Sequence, residues 1–161
     1  MGKKVSSFIL ETEGRIWGER ENDRENDERM PLKVEDATLA DFGDAFEKFK
    51  AENSGNLMKF LLFLADKDPS TSLSWCPDCN VAEPVIYKML GASEKDVLLL
   101  RAYVGDRPTW RNPSHPWRID NLFKLKGVPT LIRWENEAVT ANRLEDHEAH
   151  IESKIEALMS I

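Results

Sequence analysis

Ser74-Trp75-Cys76-Pro77-Asp78-Cys79 is the stretch on which the reading of this chain turns. It carries the only two cysteines among 161 residues, and they lie three positions apart. A secreted domain stapled by disulfides would need several cysteines at wider spacing, so this pair points to a catalytic or metal-binding role in a reducing compartment. Pro77 suits the first helical position, where its missing N–H costs nothing. A helix starting there surrounds the Cys76 sulfur with unpaired N–H groups and the positive end of the helix dipole. Both favour the thiolate, the species that attacks a disulfide. Cys79, one turn on, faces the same side and lies deeper. Cys76 is therefore the expected nucleophile and Cys79 the resolving thiol, which displaces the mixed disulfide and closes a Cys76–Cys79 bond. Asp78 suits a helix start but opposes a thiolate nearby; the balance predicts a Cys76 pKa of about 7.

The surroundings of the motif supply an element order. Leu32 to Val34 alternates as a short strand, and Thr38 with Asp41 reads as a capping box. Leu39, Phe42, Phe46 and Phe49 then recur at helical spacing up to the stop at Asn53-Ser54-Gly55. Met58 to Ala65 is an apolar run suited to a strand covered on both faces. A polar loop, Asp66 to Ser74, leads into the motif, and Val81, Val85, Ile86 and Met89 mark the helix beyond it. Val97 to Val104 is the next strand, 105–118 is punctuated by Gly and Pro, and Ile119 to Leu125 reads as a short helix. Val128-Pro129-Thr130 opens a strand to Trp134, with Ala138 to Thr140 as its hairpin mate. Leu144, Ile151, Ile155 and Leu158 form one face of a last helix. Helices between strands imply an α/β domain with a central mixed sheet flanked by helices on both faces. The order is that of a thioredoxin fold.

Two prolines add to the dithiol. Pro84 falls inside the helix after Cys79, where it bends the axis and frees a carbonyl. In cis, the Val128–Pro129 bond exposes the Val128 backbone N–H and C=O beside the sulfurs, ready to pair with a substrate backbone. Trp75 is placed to pack against substrate next to Cys76 or to pack structurally.

Other clusters are weaker. Zinc is the rival use of the cysteine pair, but a structural site needs four ligands, and the spacing of His147 and His150 falls short of the usual one. These two and His115 read as surface residues, and no metal is expected. Arg107, Arg111 and Arg118, with Trp110 and Trp117, read equally as a wall beside the dithiol or as an anchored surface loop. Asp66, Lys67 and Asp68 read as a solvated loop rather than a proton relay. Trp17 and Trp134 have no assigned role.

The formal charge is −7; residues 1–30 hold 8 acids and 6 bases, and the remainder 21 and 16. No basic stripe exists, which disfavours nucleic acid or an anionic membrane as partner. The longest apolar run, Phe60 to Ala65, is strand-sized, so no membrane span is expected. Residues 19–29 repeat an Arg-Glu-Asn-Asp unit, and residues 1–30 read as a disordered charged extension before a domain at 31–161. Gly2 with Ser6 fits an N-myristoylation pattern only weakly, and a cytoplasmic address is the default.

Leu64 to Pro69, Ser74 to Cys79, Ala82-Glu83-Pro84-Val85-Ile86, Tyr103 to Pro108 and Val128-Pro129-Thr130, taken in order, resemble the Clot family of thioredoxin-related proteins across about residues 31–161. The resemblance implies a cytosolic disulfide reductase with Cys76 and Cys79 as catalytic pair and Pro77 and Asp78 tuning the redox potential. It implies no cofactor beyond the dithiol itself, with electrons coming indirectly from NADPH through thioredoxin reductase or a similar reductant. Cystine and selected protein disulfides or nitrosothiols are the implied substrates. One departure from ordinary thioredoxins is visible: their buried acid on the strand before the motif is replaced by an apolar residue near Leu62, so proton transfer to or from Cys79 needs another agent, water or Asp78. The second reading is a redox-responsive interaction module on the same scaffold.

Overall fold

The computed structural model describes residues 31–53, 55–135 and 142–160. The N-terminal extension, Ser54 and the expected hairpin mate at Ala138 to Thr140 lie outside the described residues. The elements are β1 (Leu32–Ala37), α1 (Phe42–Ala51), β2 (Met58–Leu64), α2 (Pro77–Gly91), β3 (Val97–Tyr103), α3 (Arg107–Arg111), α4 (Pro116–Ile119), β4 (Thr130–Trp134), β5 (Arg143–Leu144) and α5 (Glu152–Met159). They build a five-stranded sheet in the order β1-β3-β2-β4-β5. β3 runs parallel to both β1 and β2, while β4 is antiparallel to β2 and to β5. This is a thioredoxin fold, with a mixed sheet between two layers of helices.

β2 is the centre because its side chains are apolar on both sides of the pleat. Phe60 to Leu64 are all fully buried. Alternation sends Lys59, Leu61 and Phe63 toward α1. There Phe63 packs against Phe42, Trp117 and Phe123, and the Lys59 ammonium donates to the carbonyls of Phe49, Lys50 and Glu52 at the end of α1. A cation there satisfies carbonyls that the helix leaves without partners and complements its dipole. Trp134 closes this layer edge-on against Phe46 and Phe49. The opposite face receives α2 and α5; there the Arg133 guanidinium donates to the Leu158 and Met159 carbonyls at the end of α5.

Several boundaries differ from the sequence expectation. The Thr38–Asp41 pair makes only one arm of a capping box: the Asp41 carboxylate accepts from the Thr38 N–H at 2.7 Å, and the helix starts after Asp41, at Phe42. The short helix lies at Pro116–Ile119 rather than 119–125. Pro116 starts it behind the His115 cap, and the Asp120 carboxylate then takes the N–H groups of Leu122 and Phe123 in a turn. Leu144 sits on β5, opposite Leu131, and not on the last helix, because pairing with the sheet edge outweighs its place in a helical pattern. The last helix starts at Glu152. The buried stripe of α2 is Cys79, Ala82, Glu83, Ile86 and Leu90, and Val81 is 55% exposed. A helix turned to bury Cys79 must turn Val81 outward.

Candidate active site

The site forms where β2 ends and α2 begins. Ser74 Oγ donates to the Ala65 carbonyl at 3.2 Å and accepts the Cys76 N–H at 3.1 Å, so the loop is tied to the end of the strand. The Asn80 side chain bridges both backbone groups of Ser74, at 2.9 Å each, locking the same loop to the first turn of the helix. Cys76 is thereby held as the N-cap of α2, with Pro77 at the first helical position.

Both cysteines are free thiols and both are buried; Cys76 is 7% exposed and Cys79 fully enclosed. The Cys79 N–H donates to Cys76 Sγ at 3.2 Å, as an N-cap side chain accepts from the first turn. Cys76 is lowered from an ordinary 9.0 to about 7. The largest cause is the hydrogen bond from the Cys79 side chain. Burial opposes it, the Cys79 N–H adds to it, and the Asp78 charge works against it. Cys79 is pushed strongly upward, first by sharing its hydrogen bond with Cys76, then by burial, with the charge of Glu83 adding to the effect. One helical turn therefore separates a thiol that ionises near neutrality from one that keeps its proton.

Val128 and Pro129 come to the same place from the far end of the chain. The Val128–Pro129 bond is cis, and the Val128 carbonyl accepts from Cys76 Sγ–H at 3.4 Å. Asp78 is exposed at the start of α2. Pro84 is inside α2, also exposed.

Trp75 is half-buried, and its indole N–H donates to the Gly105 carbonyl at 3.1 Å. Gly105 has φ +106°, and a Cβ there would meet Thr109 at 2.9 Å, so the loop needs glycine at this point. Arg107 donates to the Trp75 carbonyl at 2.8 Å and lies 5.2 Å from the Trp75 ring centroid. Of the three arginines in the 105–118 stretch, Arg107 thus touches the motif. Arg118 instead stacks 3.8 Å from the Trp110 ring and donates to the Trp110 carbonyl, which holds the loop together. Arg111 is exposed.

Four residues differ from their sequence reading, and a fifth had none. His115 is buried rather than on the surface: Nε2 donates to the Val104 carbonyl at 2.8 Å and Nδ1 accepts the Trp117 N–H at 3.1 Å, which fixes its tautomer. Lys67 is not merely solvated, because its ammonium pairs with Glu83 at 2.9 Å. Glu83 received no role from the sequence. It is the only buried carboxylate among the described residues, one turn beyond Cys79 on the inward face of α2. An acid interrupting the stripe Cys79, Ala82, Ile86 and Leu90 was the signal that could have found it. His147 and His150 are exposed in the turns ahead of α5, not on the helix.

A dithiol split between a helix cap and the layer beneath it, facing the Val128 carbonyl just ahead of a cis-proline on a thioredoxin sheet, is the arrangement of a thioredoxin-like redox protein. A family model described as "Thioredoxin domain-containing protein 17-like, thioredoxin domain" matches residues 38–160. The chain is 56% identical over 137 residues to thioredoxin-like protein Clot of Oryza sativa subsp. japonica, covering 81% of this chain and 98% of that protein. It is 52% identical over 132 residues to thioredoxin-like protein Clot of Arabidopsis thaliana, with coverages of 81% and 98%. Thioredoxin domain-containing protein 17 of Mus musculus is 33% identical over 117 residues, 73% of this chain and 89% of that one. The chain belongs to the Clot family of thioredoxin-like proteins.

Proposed function

We propose that this protein is a thiol–disulfide oxidoreductase working as a disulfide reductase, in which Cys76 is the nucleophile and Cys79 the resolving thiol. The observation that carries the reading is the Cys76 environment: a cap position, an N–H at 3.2 Å and a pKa lowered to about 7. About half of the sulfur is then anionic at neutral pH, against about a hundredth for a thiol of pKa 9, by the proton equilibrium that controls thiol reactivity.

In the forward reaction the Cys76 thiolate attacks one sulfur of the substrate disulfide and the other leaves as a thiolate. Cys79 then loses its proton and attacks Cys76 Sγ. The Cys76–Cys79 bond forms, the mixed disulfide breaks, and the second substrate thiolate leaves and takes up a proton. The substrate is reduced by two electrons and the dithiol is oxidised. The Val128 backbone is placed to pair with an extended substrate backbone, and the half-buried Trp75, pinned by Arg107 and Gly105, offers a flat face beside the sulfur. Pro77 and Asp78 set the balance of the pair, Pro77 by starting the helix and Asp78 by holding the Cys76 thiolate back. Electrons return from NADPH through thioredoxin reductase or a similar reductant, the substrates are cystine and selected protein disulfides, and the compartment is the cytoplasm. No helix among the described residues is long and apolar enough to cross a membrane.

The test is NADPH oxidation in the presence of thioredoxin reductase, cystine and the full chain. Turnover should require the protein and vanish in Cys76→Ser. Equal consumption with Cys76→Ser would overturn the assignment and leave an interaction module as the better account.

A further inference from the structure

Resting on that reading, the resolving step poses a problem. Cys79 is fully enclosed and its thiol is held protonated, yet it must shed a proton while attacking Cys76. The acid that ordinary thioredoxins place on the preceding strand is absent: Leu62 is apolar and fully buried, facing α2 in register with Arg101. Asp78 lies at the exposed start of the helix, so it does not share the buried side of Cys79.

Glu83 does share it. Residues one turn apart on a helix lie one above the other on the same face, and both Cys79 and Glu83 are on the inward stripe of α2. Glu83 uses only one of its oxygens: Oε1 accepts from the Lys67 ammonium at 2.9 Å and from the Tyr87 hydroxyl at 2.8 Å. Oε2 is buried with no hydrogen-bond partner among the described residues. A buried carboxylate oxygen left without a donor costs free energy that a fold does not ordinarily leave uncompensated. Its charge is supported from several sides. Lys67 reaches it from the loop and Tyr87 from its own helix; Arg101 of β3 donates to the Tyr87 hydroxyl and forms an ion pair with Asp36 of β1, whereas Tyr103 of β3 meets the Glu83 charge only as repulsion of its own anion. Lys67 is one-third exposed, so the network connects the buried carboxylate to solvent.

We infer that Glu83 is the proton acceptor for Cys79 in the resolving step, its free Oε2 taking the thiol proton either directly or across one water. As the Cys79 sulfur bonds to Cys76, the proton passes to the carboxylate, the substrate sulfur leaves as a thiolate, and Glu83 returns the proton to solvent along the Lys67 side. The acid has thus moved from the strand beneath the helix onto the helix itself.

Single-turnover mixing of reduced protein with excess dithiobis-nitrobenzoate separates the two sulfurs. The first thionitrobenzoate appears in a phase proportional to reagent concentration, which reports Cys76; the second appears in a concentration-independent phase, which reports Cys79. Glu83→Gln should leave the first phase within about twofold and slow the second by about 10- to 100-fold at neutral pH, the range of one general acid–base group. Its second phase should then climb about tenfold per pH unit where the unaltered protein levels off, and Glu83→Asp should restore part of the rate. Lys67→Met keeps the carboxylate but withdraws its cation, favouring the protonated carboxyl; it should move the midpoint of the second phase to higher pH, and it serves if Glu83→Gln does not fold. An unchanged second phase in Glu83→Gln, or an unmoved midpoint in Lys67→Met when that variant alone folds, overturns the inference. Absence of the first phase in the unaltered protein instead overturns the disulfide-reductase reading.

Discussion

Replacing Cys79 by alanine tests why Cys76 is acidic. Two groups of Cys79 act on the Cys76 sulfur: the backbone N–H at 3.2 Å, which alanine keeps, and the side-chain hydrogen bond, which is the largest single cause of the lowered value and which alanine removes. A hydrogen bond to a charged partner is worth about 1.5–3 kcal/mol, and a thiol is a weak donor, so the lower half of that range applies. At about 1.4 kcal/mol per pKa unit, the loss raises Cys76 by about 1 to 1.5 units. From a starting value of about 7, the anionic fraction at neutral pH then falls about five- to fifteenfold, by the equilibrium that controls thiol reactivity. Cys79→Ser retains a donor and should stay within about half a unit of the unaltered protein. The assay is the rate of iodoacetamide alkylation of Cys76 against pH, followed by mass spectrometry; the Ala and Ser variants each hold a single cysteine, so the profile has one source. A Cys79→Ala midpoint within a few tenths of the unaltered value, or equal midpoints for Ala and Ser, would show that the cap and not the neighbouring thiol holds the anion.

Asp78→Asn removes a charge that raises Cys76 and should shift the same alkylation midpoint downward. Arg107→Ala frees the Trp75 carbonyl and ring from their guanidinium; it should raise KM for protein disulfides while leaving the Cys76 alkylation profile in place. His115 is kept below its ordinary value chiefly by burial. A group lowered on folding contributes stability above its unfolded pKa and loses it as pH falls, so urea midpoints should drop on acidification below about pH 6.5. His115→Gln should flatten that drop, and an unflattened drop assigns it elsewhere. Leu61→Ala truncates a fully enclosed side chain in the central strand and should cost about 2–5 kcal/mol in urea denaturation, the range for cavities of this kind; a loss below about 1 kcal/mol would mean that the layer collapses into the gap.

What was legible in the sequence follows from how local each signal is. The helix cap at Cys76, the proline after it and the apolar strand before it are contiguous, and backbone sterics alone dictate their arrangement. Val128 could be brought to the sulfurs because a proline opening a strand in this element order leaves few places for that strand to go. Leu144 and the 116–123 segment were misplaced for the opposite reason. Their hydrophobic spacing fits a helix, but an open sheet edge and a proline N-terminus compete for them, and both belong to the tertiary structure. His115 was misread because nothing adjacent shows that its two nitrogens meet a carbonyl and an N–H in the core. Lys67 and Glu83 are sixteen positions apart on a loop and a helix, so neither shows its partner. The buried acid by itself was readable from its place in the α2 stripe.

The chemistry of the pair comes from placing two like groups in unlike surroundings one helical turn apart. Cys76 sits where the helix exposes its N–H groups, so its anion is solvated by backbone. Cys79 sits in the apolar layer beneath, beside a carboxylate, so its anion is opposed by desolvation and by charge. A single hydrogen bond between the two side chains acts in both directions, favouring the anion on Cys76 and the proton on Cys79. Pushing two titratable groups apart in this way assigns their roles, and it means that neither sulfur can be tuned alone. The same coupling lapses once Cys76 is bonded to substrate, because a disulfide sulfur carries no charge for Cys79 to support. At that moment burial, the backbone hydrogen bond at Ala65 and Glu83 govern the Cys79 proton. The resting acidity of Cys76 and the speed of the second step are therefore set by different neighbours, and substitutions on the cap side and the Glu83 side of α2 should separate them.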